Sequence, residues 1–381
     1  MKKFLSLVLA MLMVFALVAC EQQKAPAEDA EADQAEPAED QAAAEQDTPA
    51  DEDAATDEEA AAPPDVDYSS KNVTMITDEG GINDESFNQS AWNGMERLKN
   101  ELNVNISFIE SHKDADYTPN LEMSVDQGND LIWGIGFLMK DAVDNAARDY
   151  PEQLFGLIDD NWEDGELPNT VGVQFKAEQS SFLVGYIAGL MTESNKVGMV
   201  IGMEFPTMFR FRYGYEAGVN YAAKELGKEI EFLYTNIESF SDTAKAKASA
   251  QQMYHDGADI VFQCAGLAGN GVIEAAKELD KWAIGVDLDQ NKLAPDNVLT
   301  SALKNIDIAI FSLSKRIFDG EDLGGTTVFF GLEEGGVGIA PSSDKHVPAE
   351  ILEKVSALEK KIAEGEIEVP FTEDMFKAFT Y

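Results

Sequence analysis

Short runs of β-branched and aliphatic residues punctuate the chain, and between them the apolar positions recur at the three- and four-residue spacing of amphipathic helices. In the first series, NVTMIT precedes a helix expected over 86–102, and NVNISFIE precedes one over 119–128. LIWGIGF precedes one over 139–150, and LFGLID and NTVGVQF follow as strands. A second series repeats the alternation: helix 180–194, KVGMVIGM, helix 211–226, IEFLYTN, helix 243–256, DIVFQCA, helix 271–279 and WAIGVD. Strands that alternate with helices build parallel, doubly wound sheets, so the fold class is α/β with two such lobes.

Three late elements, the strand NVLTSA, a helix over 307–318 and the strand TTVFFGL, have no evident place in the second series. Parallel sheets grow through right-handed crossovers, and a return to the first lobe is the simplest arrangement. Lobe 1 is then 68–175 plus 302–331, and lobe 2 is 176–301 plus 332–381, joined by a three-segment hinge near Val173, Ser301 and Gly331. Two α/β lobes on such a hinge close around a ligand. Residues 347–364 are amphipathic and are expected as a helix on the second lobe.

The first 67 residues follow a different pattern. Lys2 and Lys3 precede an apolar run ending in LVAC, the layout of a secretory signal over 1–19, and the run is shorter than the roughly 20 residues a membrane span requires. LVAC resembles the lipobox of bacterial lipoproteins, which makes Cys20 the lipidated first residue of the mature chain. Residues 20–67 are nearly all Ala, Glu, Asp, Gln and Pro, too poor in apolar surface to fold, and are expected as an extended stalk. The protein is therefore expected on the extracytoplasmic face of the cell membrane, held by lipid.

The formal net charge of −43 argues against nucleic acid as a partner and weakly against phosphorylated ligands. With Cys20 lipidated, Cys264 has no disulfide partner and reads as a small core residue. His112, His255 and His346 lie far apart without metal spacing, and no metal or cofactor is expected.

Candidate chemistry sits in loops that follow strands, where open α/β sheets bind small molecules. After NVTMIT come Asp78 and, at the start of a helix, Phe87 and Asn88. An ionised carboxylate only accepts hydrogen bonds and a phenyl ring offers a flat apolar face, a combination suited to a planar ligand with polar edges. Asp78 as a helix cap and Phe87 as core is the competing reading. Asp159 ends LFGLID at a similar edge. The loop MEFPTMFR precedes Phe211, an aromatic suited to the opposite ligand face or equally to the core, since Phe205, Phe209, Tyr213 and Tyr215 crowd the same stretch.

In AGLAGNGV, Gly266, Gly269 and Gly271 allow close backbone approach to an uncharged group. Asp287 closes WAIGVD and Lys304 follows NVLTSA. The aspartate suits vicinal ribose hydroxyls, with Lys304 donating to them while neutralising Asp287, and a structural ion pair at the hinge is the alternative.

Taken together, TDEGGINDESFNQSAWNG, GADIVFQCAGLAGNGVIEAAKE, IGVDLDQ and LTSALKNID resemble the basic membrane protein family, lipoproteins related to purine nucleoside receptor A, in the order and over the extent of the folded part. The resemblance implies a type I periplasmic-binding-protein fold that delivers purine nucleosides (guanosine, inosine, adenosine) to an ABC transporter permease. It also implies roles: Asp78 and Asp159 bond the base, Phe87 and Phe211 stack on its two faces, and Gly266, Asp287 and Lys304 hold the ribose. Asn88, within SFNQ, completes the candidate ligand set. The rival readings are a surface antigen or adhesin, and a nucleoside hydrolase, for which neither a metal-binding aspartate cluster nor a paired acid and base is spaced in the sequence.

Overall fold

The computed structural model describes residues 67–381. The signal segment, Cys20 and the acidic stretch through residue 66 lie outside the described residues. The first lobe starts with β1 (Asn72–Ile76), α1 (Phe87–Leu102), β2 (Asn105–Ile109), α2 (Tyr117–Asp126), β3 (Leu131–Ile135), α3 (Lys140–Asp149), β4 (Leu154–Ile158) and β5 (Thr170–Phe175). The chain continues through α4 (Ala177–Met191), β6 (Lys196–Ile201), α5 (Pro206–Leu226), β7 (Glu231–Asn236), α6 (Thr243–His255), β8 (Ile260–Cys264), α7 (Asn270–Leu279), β9 (Trp282–Asp287) and β10 (Val298–Lys304). It ends with α8 (Ile306–Phe318), β11 (Thr326–Phe330), β12 (Val337–Ile339), α9 (Ala349–Ala363) and α10 (Glu373–Ala378).

Two six-stranded sheets result, ordered β11-β5-β4-β3-β1-β2 and β12-β10-β9-β8-β6-β7. Every pairing is parallel except β12, which runs antiparallel to β10. Central strands such as LIWGI and IVFQC are buried along their whole length because helices cover both faces, which is why their sequences are continuously apolar instead of alternating. In each sheet the strand order reverses beside its first strand, between β1 and β3 and between β6 and β8. The carboxyl ends of those strands open a crevice at each switch point. This is the type I periplasmic-binding architecture of two doubly wound lobes.

One element lies elsewhere than expected. The strand around Asn297–Ala302 does not join the first lobe: β10 runs parallel to β9, with Ser301 opposite Gly285 and Leu303 opposite Asp287. Its residues are almost all buried, and the open flank of β9 gives such a strand a paired edge and two covered faces where it stands. The passage back to the first lobe therefore comes after Lys304. There α8 packs on α1, so closely that a side chain on Gly94 would meet the Asp307 backbone at 2.8 Å, and β11 adds beside β5. Trp133, fully buried on β3, donates its indole N–H to Ser314 Oγ at 3.0 Å and ties α8 to this lobe.

Three smaller differences have local causes. Helix α5 starts at Pro206, five residues before Phe211, because proline at the first helical position needs no N–H partner and has its φ preset. β12 and α10 are too short to carry a periodic signal. Helix α9 buries Val355, Leu358 and Ile362 in the core of the second lobe. Among the described residues no helix is long and apolar enough to cross a membrane.

Candidate functional site

The two switch-point crevices face each other across a shared cavity. Asp78, Phe87, Asp159, Phe211, Gly266, Asp287 and Lys304 all line it. Asn88 does not. Its amide lies beneath the cavity wall, donating to Asp78 Oδ1 at 2.6 Å and to Asp84 Oδ2 at 3.0 Å, so it orients a lining carboxylate and presents nothing to the cavity itself.

The loop after β1 is organised by Asp84, which is fully buried and accepts from the backbone N–H groups of Ser86, Asn88 and Gln89. Those bonds satisfy donors at the start of α1 that have no helical partner, and they fix Phe87 as the first helical residue with its ring toward the cavity. Asp78 is held by Asn88 and by the Gly80 N–H at 3.0 Å. Burial pushes its carboxyl up to about 6, against the lowering effect of those bonds and with the charges of Asp84 and Glu79 adding to the rise. Opposite it Gly136, at φ +110°, keeps the β3 loop clear of the ring: a Cβ there would sit 3.3 Å from Phe87 Cε1.

Asp159 and Asp287 end β4 and β9 in left-handed backbone conformations, φ +72° and +63°. Non-glycine residues adopt that region at some energetic cost, and such positions cluster where a side chain must be aimed. Lys304 is expected from the sequence to neutralise Asp287. Instead the buried Lys304 ammonium bonds Asp159 Oδ2, and Asp287 Oδ2 accepts from the Ser86 hydroxyl of the first lobe at 2.5 Å. The reason is register: β10 continues past β9 to the cavity floor and delivers the lysine to the β4 side. Burial raises the Asp287 carboxyl to about 7; Lys304 and Ser86 oppose the rise, while Asp84 and Asp159 add to it. Asp159 Oδ1 is buried with no partner in the protein, a free acceptor in the cavity wall.

The Lys304 ammonium stands 4.7 Å from the Phe87 ring centroid and 5.8 Å from that of Phe211, so both rings border the same small volume. Phe211 is 3 % exposed and belongs at once to the core of the second lobe and to the cavity, which merges the two readings its sequence left open. The glycine run divides by role. Gly266, at φ +53°, lines the cavity, whereas a side chain on Gly269 would strike Gln263 Oε1 and one on Gly271 would strike the Thr243 carbonyl.

Asp84, Phe137, Met208, Phe240 and Cys264 also line the cavity and were missed as site residues. Phe137 lies two residues past the end of β3, as Asp78 lies two past β1, and the same strand-end rule applies to both. Its ring stacks on Phe205 at 4.1 Å with 7° between planes, an apolar contact across the two lobes. Cys264, read as core, is 2 % exposed and lies beside the ligand-facing loop, with burial and the Asp287 charge pushing its thiol well up. Four carboxylates and one ammonium thus line the cavity, between aromatic surfaces. Such a lining accepts hydrogen bonds from a flat, uncharged guest and disfavours a phosphate. Among the described residues no group of three or more His, Cys, Asp or Glu is arranged to hold a metal ion.

Comparison with known proteins places the chain among substrate-binding proteins. The family model described as ABC transporter substrate-binding protein PnrA-like matches residues 71–373. The chain is 37% identical over 327 residues to the CD4+ T-cell-stimulating antigen of Listeria innocua, covering 80% of this chain and 90% of that one. It is 37% identical over 311 residues to basic membrane protein A of Borreliella burgdorferi, covering 81% and 90%. Among solved structures, an ABC transporter solute-binding protein from Aeropyrum pernix aligns with a TM-score of 0.73 at 29% identity, over 81% of this chain and 96% of that one. One from Conexibacter woesei aligns with a TM-score of 0.64 at 25% identity, over 80% and 100%.

Proposed function

We propose that this chain, which belongs to the Bmp family of PnrA-like ABC transporter substrate-binding proteins, captures a purine nucleoside between its lobes and passes it to the permease of its transporter. The observation that carries this reading is the pairing of two rings, Phe87 and Phe211, around one small volume whose rim is made of buried carboxylates. In this reading a purine lies between the rings, its N–H groups donating to Asp78 and to the unpartnered oxygen of Asp159. The ribose hydroxyls meet Asp287, Lys304 and the backbone at Gly266, where the missing Cβ permits close approach. Phosphate is excluded because a single ammonium, already bonded to Asp159, faces four carboxylates.

Submicromolar affinity requires roughly 8 kcal/mol net. Stacking contributes about 1 to 3 kcal/mol per base and each hydrogen bond to a charged group about 1.5 to 3, enough for two rings and three or four polar contacts to exceed the cost of association. In this proposal removal of the signal segment 1–19 leaves Cys20 as the lipidated first residue, which holds the protein on the extracytoplasmic face of the membrane, with the acidic stretch as spacer.

A thermal-shift panel tests the assignment. Guanosine, inosine and adenosine are expected to raise the melting temperature, while the corresponding monophosphates, free ribose and arabinose leave it unchanged. Stabilisation by sugars alone, or by no member of the panel, overturns the nucleoside reading. Free base accumulating from inosine in the presence of the protein would favour a hydrolase instead.

A further inference from the structure

The two loops that carry Cys264–Gly266 and Val286–Asp287 to the cavity are braced by a pair of fully buried glutamines that take no part in the ligand set above. Gln263, on β8, accepts from the Ala265 N–H through Oε1 at 3.2 Å and donates through Nε2 to Gln290 Oε1 at 2.6 Å. Gln290, just after β9, also accepts from the Val286 N–H at 3.0 Å, and that donor fixes which end of its amide is oxygen. Its remaining Nε2 donates to the Glu85 carbonyl of the first lobe at 2.9 Å. The hydrogen bonds therefore run from one ligand loop, through the other, into the opposite lobe.

Their target is an unusual residue. Glu85 holds φ +60° without being glycine, its carboxylate pairs with Lys292, and its neighbour Ser86 donates to Asp287. From below, Asp84 fixes the same turn through the Ser86, Asn88 and Gln89 N–H groups. A left-handed conformation at a side-chain-bearing residue persists only where surrounding contacts over-determine it. Three of those contacts, to Gln290, to Lys292 and from Ser86 to Asp287, exist only while the lobes are together.

We infer that Gln290 is a closure-positioning residue, whose amide couples the shape of the ligand loops of the second lobe to the Glu85–Ser86 turn of the first and so sets how long the closed form lasts. It touches no ligand. Its effect falls on the escape of whatever the cavity holds, because closure follows encounter and must be undone before release.

The test is Gln290→Glu. The substitution keeps both acceptor functions, toward Gln263 and Val286, and replaces the single donor facing the Glu85 carbonyl with an acceptor. Closure is read by energy transfer between dyes on cysteines introduced at two exposed positions, Met123→Cys on the first lobe and Leu226→Cys on the second. Binding is read by stopped-flow with inosine. Gln290→Glu is expected to lower the closed population and to raise the inosine dissociation rate about tenfold, with the association rate within about twofold, since losing one buried hydrogen bond and gaining a repulsive contact amounts to about 1.4 kcal/mol. Lys292→Ala, at a half-exposed ion pair, is expected to act in the same direction by about twofold.

Unchanged closure and dissociation in Gln290→Glu would overturn the inference. So would a fall in melting temperature with closure intact, which marks a merely structural amide. The inference rests on a ligand being held in the cleft but not on its identity: if inosine fails to bind the unaltered protein while Gln290→Glu still lowers the closed population, the nucleoside assignment fails and the latch stands.

Discussion

The two walls of the cavity are built differently. In the loop after β1 two carboxylates are satisfied by their own surroundings: Asp78 by Gly80 and Asn88, and Asp84 by four donors of its own turn. On the second lobe the polar groups reach across. Lys304 bonds Asp159, Thr207 Oγ1 donates to the Asp159 carbonyl at 3.0 Å, Asp287 accepts from Ser86, and Gln290 donates to the Glu85 carbonyl. Asp78 and Asp84 are thus held before the lobes meet, whereas the bonds of Asp159, Glu85, Ser86, Lys304 and Asp287 across the cleft are completed by their meeting. Pre-organised groups bind without further ordering, whereas groups satisfied only on closure link ligand capture to the motion.

Removing Lys304 breaks this contrast most severely. Lys304→Met leaves Asp159 as a buried, uncompensated charge, expected to cost about 3 to 5 kcal/mol of stability, read as a lower denaturant midpoint. Adding Asp159→Asn to that variant is expected to recover most of the loss. If the single substitution costs nothing, the pair does not bridge the lobes in solution.

Phe87→Ala and Asp287→Ala each are expected to weaken inosine or guanosine binding at least tenfold, about 1.4 kcal/mol, by calorimetry. They sharpen the comparison because they differ in mechanism. Phe87→Ala removes a stacking face and the ring beside the Lys304 ammonium but no hydrogen bond between the lobes, whereas Asp287→Ala removes the bond from Ser86 and is expected to lower the ligand-free closed population more. Identical closure in both variants would erase the distinction between the walls.

The pH dependence follows from Asp78 and Asp287, whose carboxyls burial raises from the ordinary aspartate value of 3.8 to about 6 and about 7. For an acid with a raised folded pKa, the unfolded chain gives up its proton first as pH rises. Between about pH 4 and 7 the native state binds more protons, so the ligand-free protein loses stability across that window and levels off above it. A ligand that donates to the ionised carboxylates releases those protons on binding, so affinity tightens between pH 5.5 and 7.5. Calorimetry in buffers of different ionisation enthalpy measures the release, and Asp287→Asn is expected to flatten both trends. A proton count of zero at pH 6.5 would refute it.

The smallest expected effect is at Asn88. Asn88→Ala removes a donor from Asp78, costing about 1 kcal/mol and hence about fivefold in affinity, with the stacking wall untouched. An effect as large as that of Phe87→Ala would mean that Asn88 meets the ligand directly.

The alternation of strand and helix, the two lobes, and the loops worth inspecting were all readable in one dimension, because strand period, helix period and strand-end position are local properties of the chain. So were Asp78 and Phe87, which lie nine residues apart in one loop. Phe137 obeyed the same rule and was passed over because LIWGIGF reads as one apolar run. What no local signal contained was partnership. Lys304 bonds Asp159 and not Asp287, Ser86 reaches Asp287 across 201 residues of chain, and Gln290 finds a carbonyl 205 residues away. Such pairings depend on where β10 joins its sheet and on how one lobe meets the other. Both are fixed by burial and register across the whole molecule, and only the tertiary structure decided them.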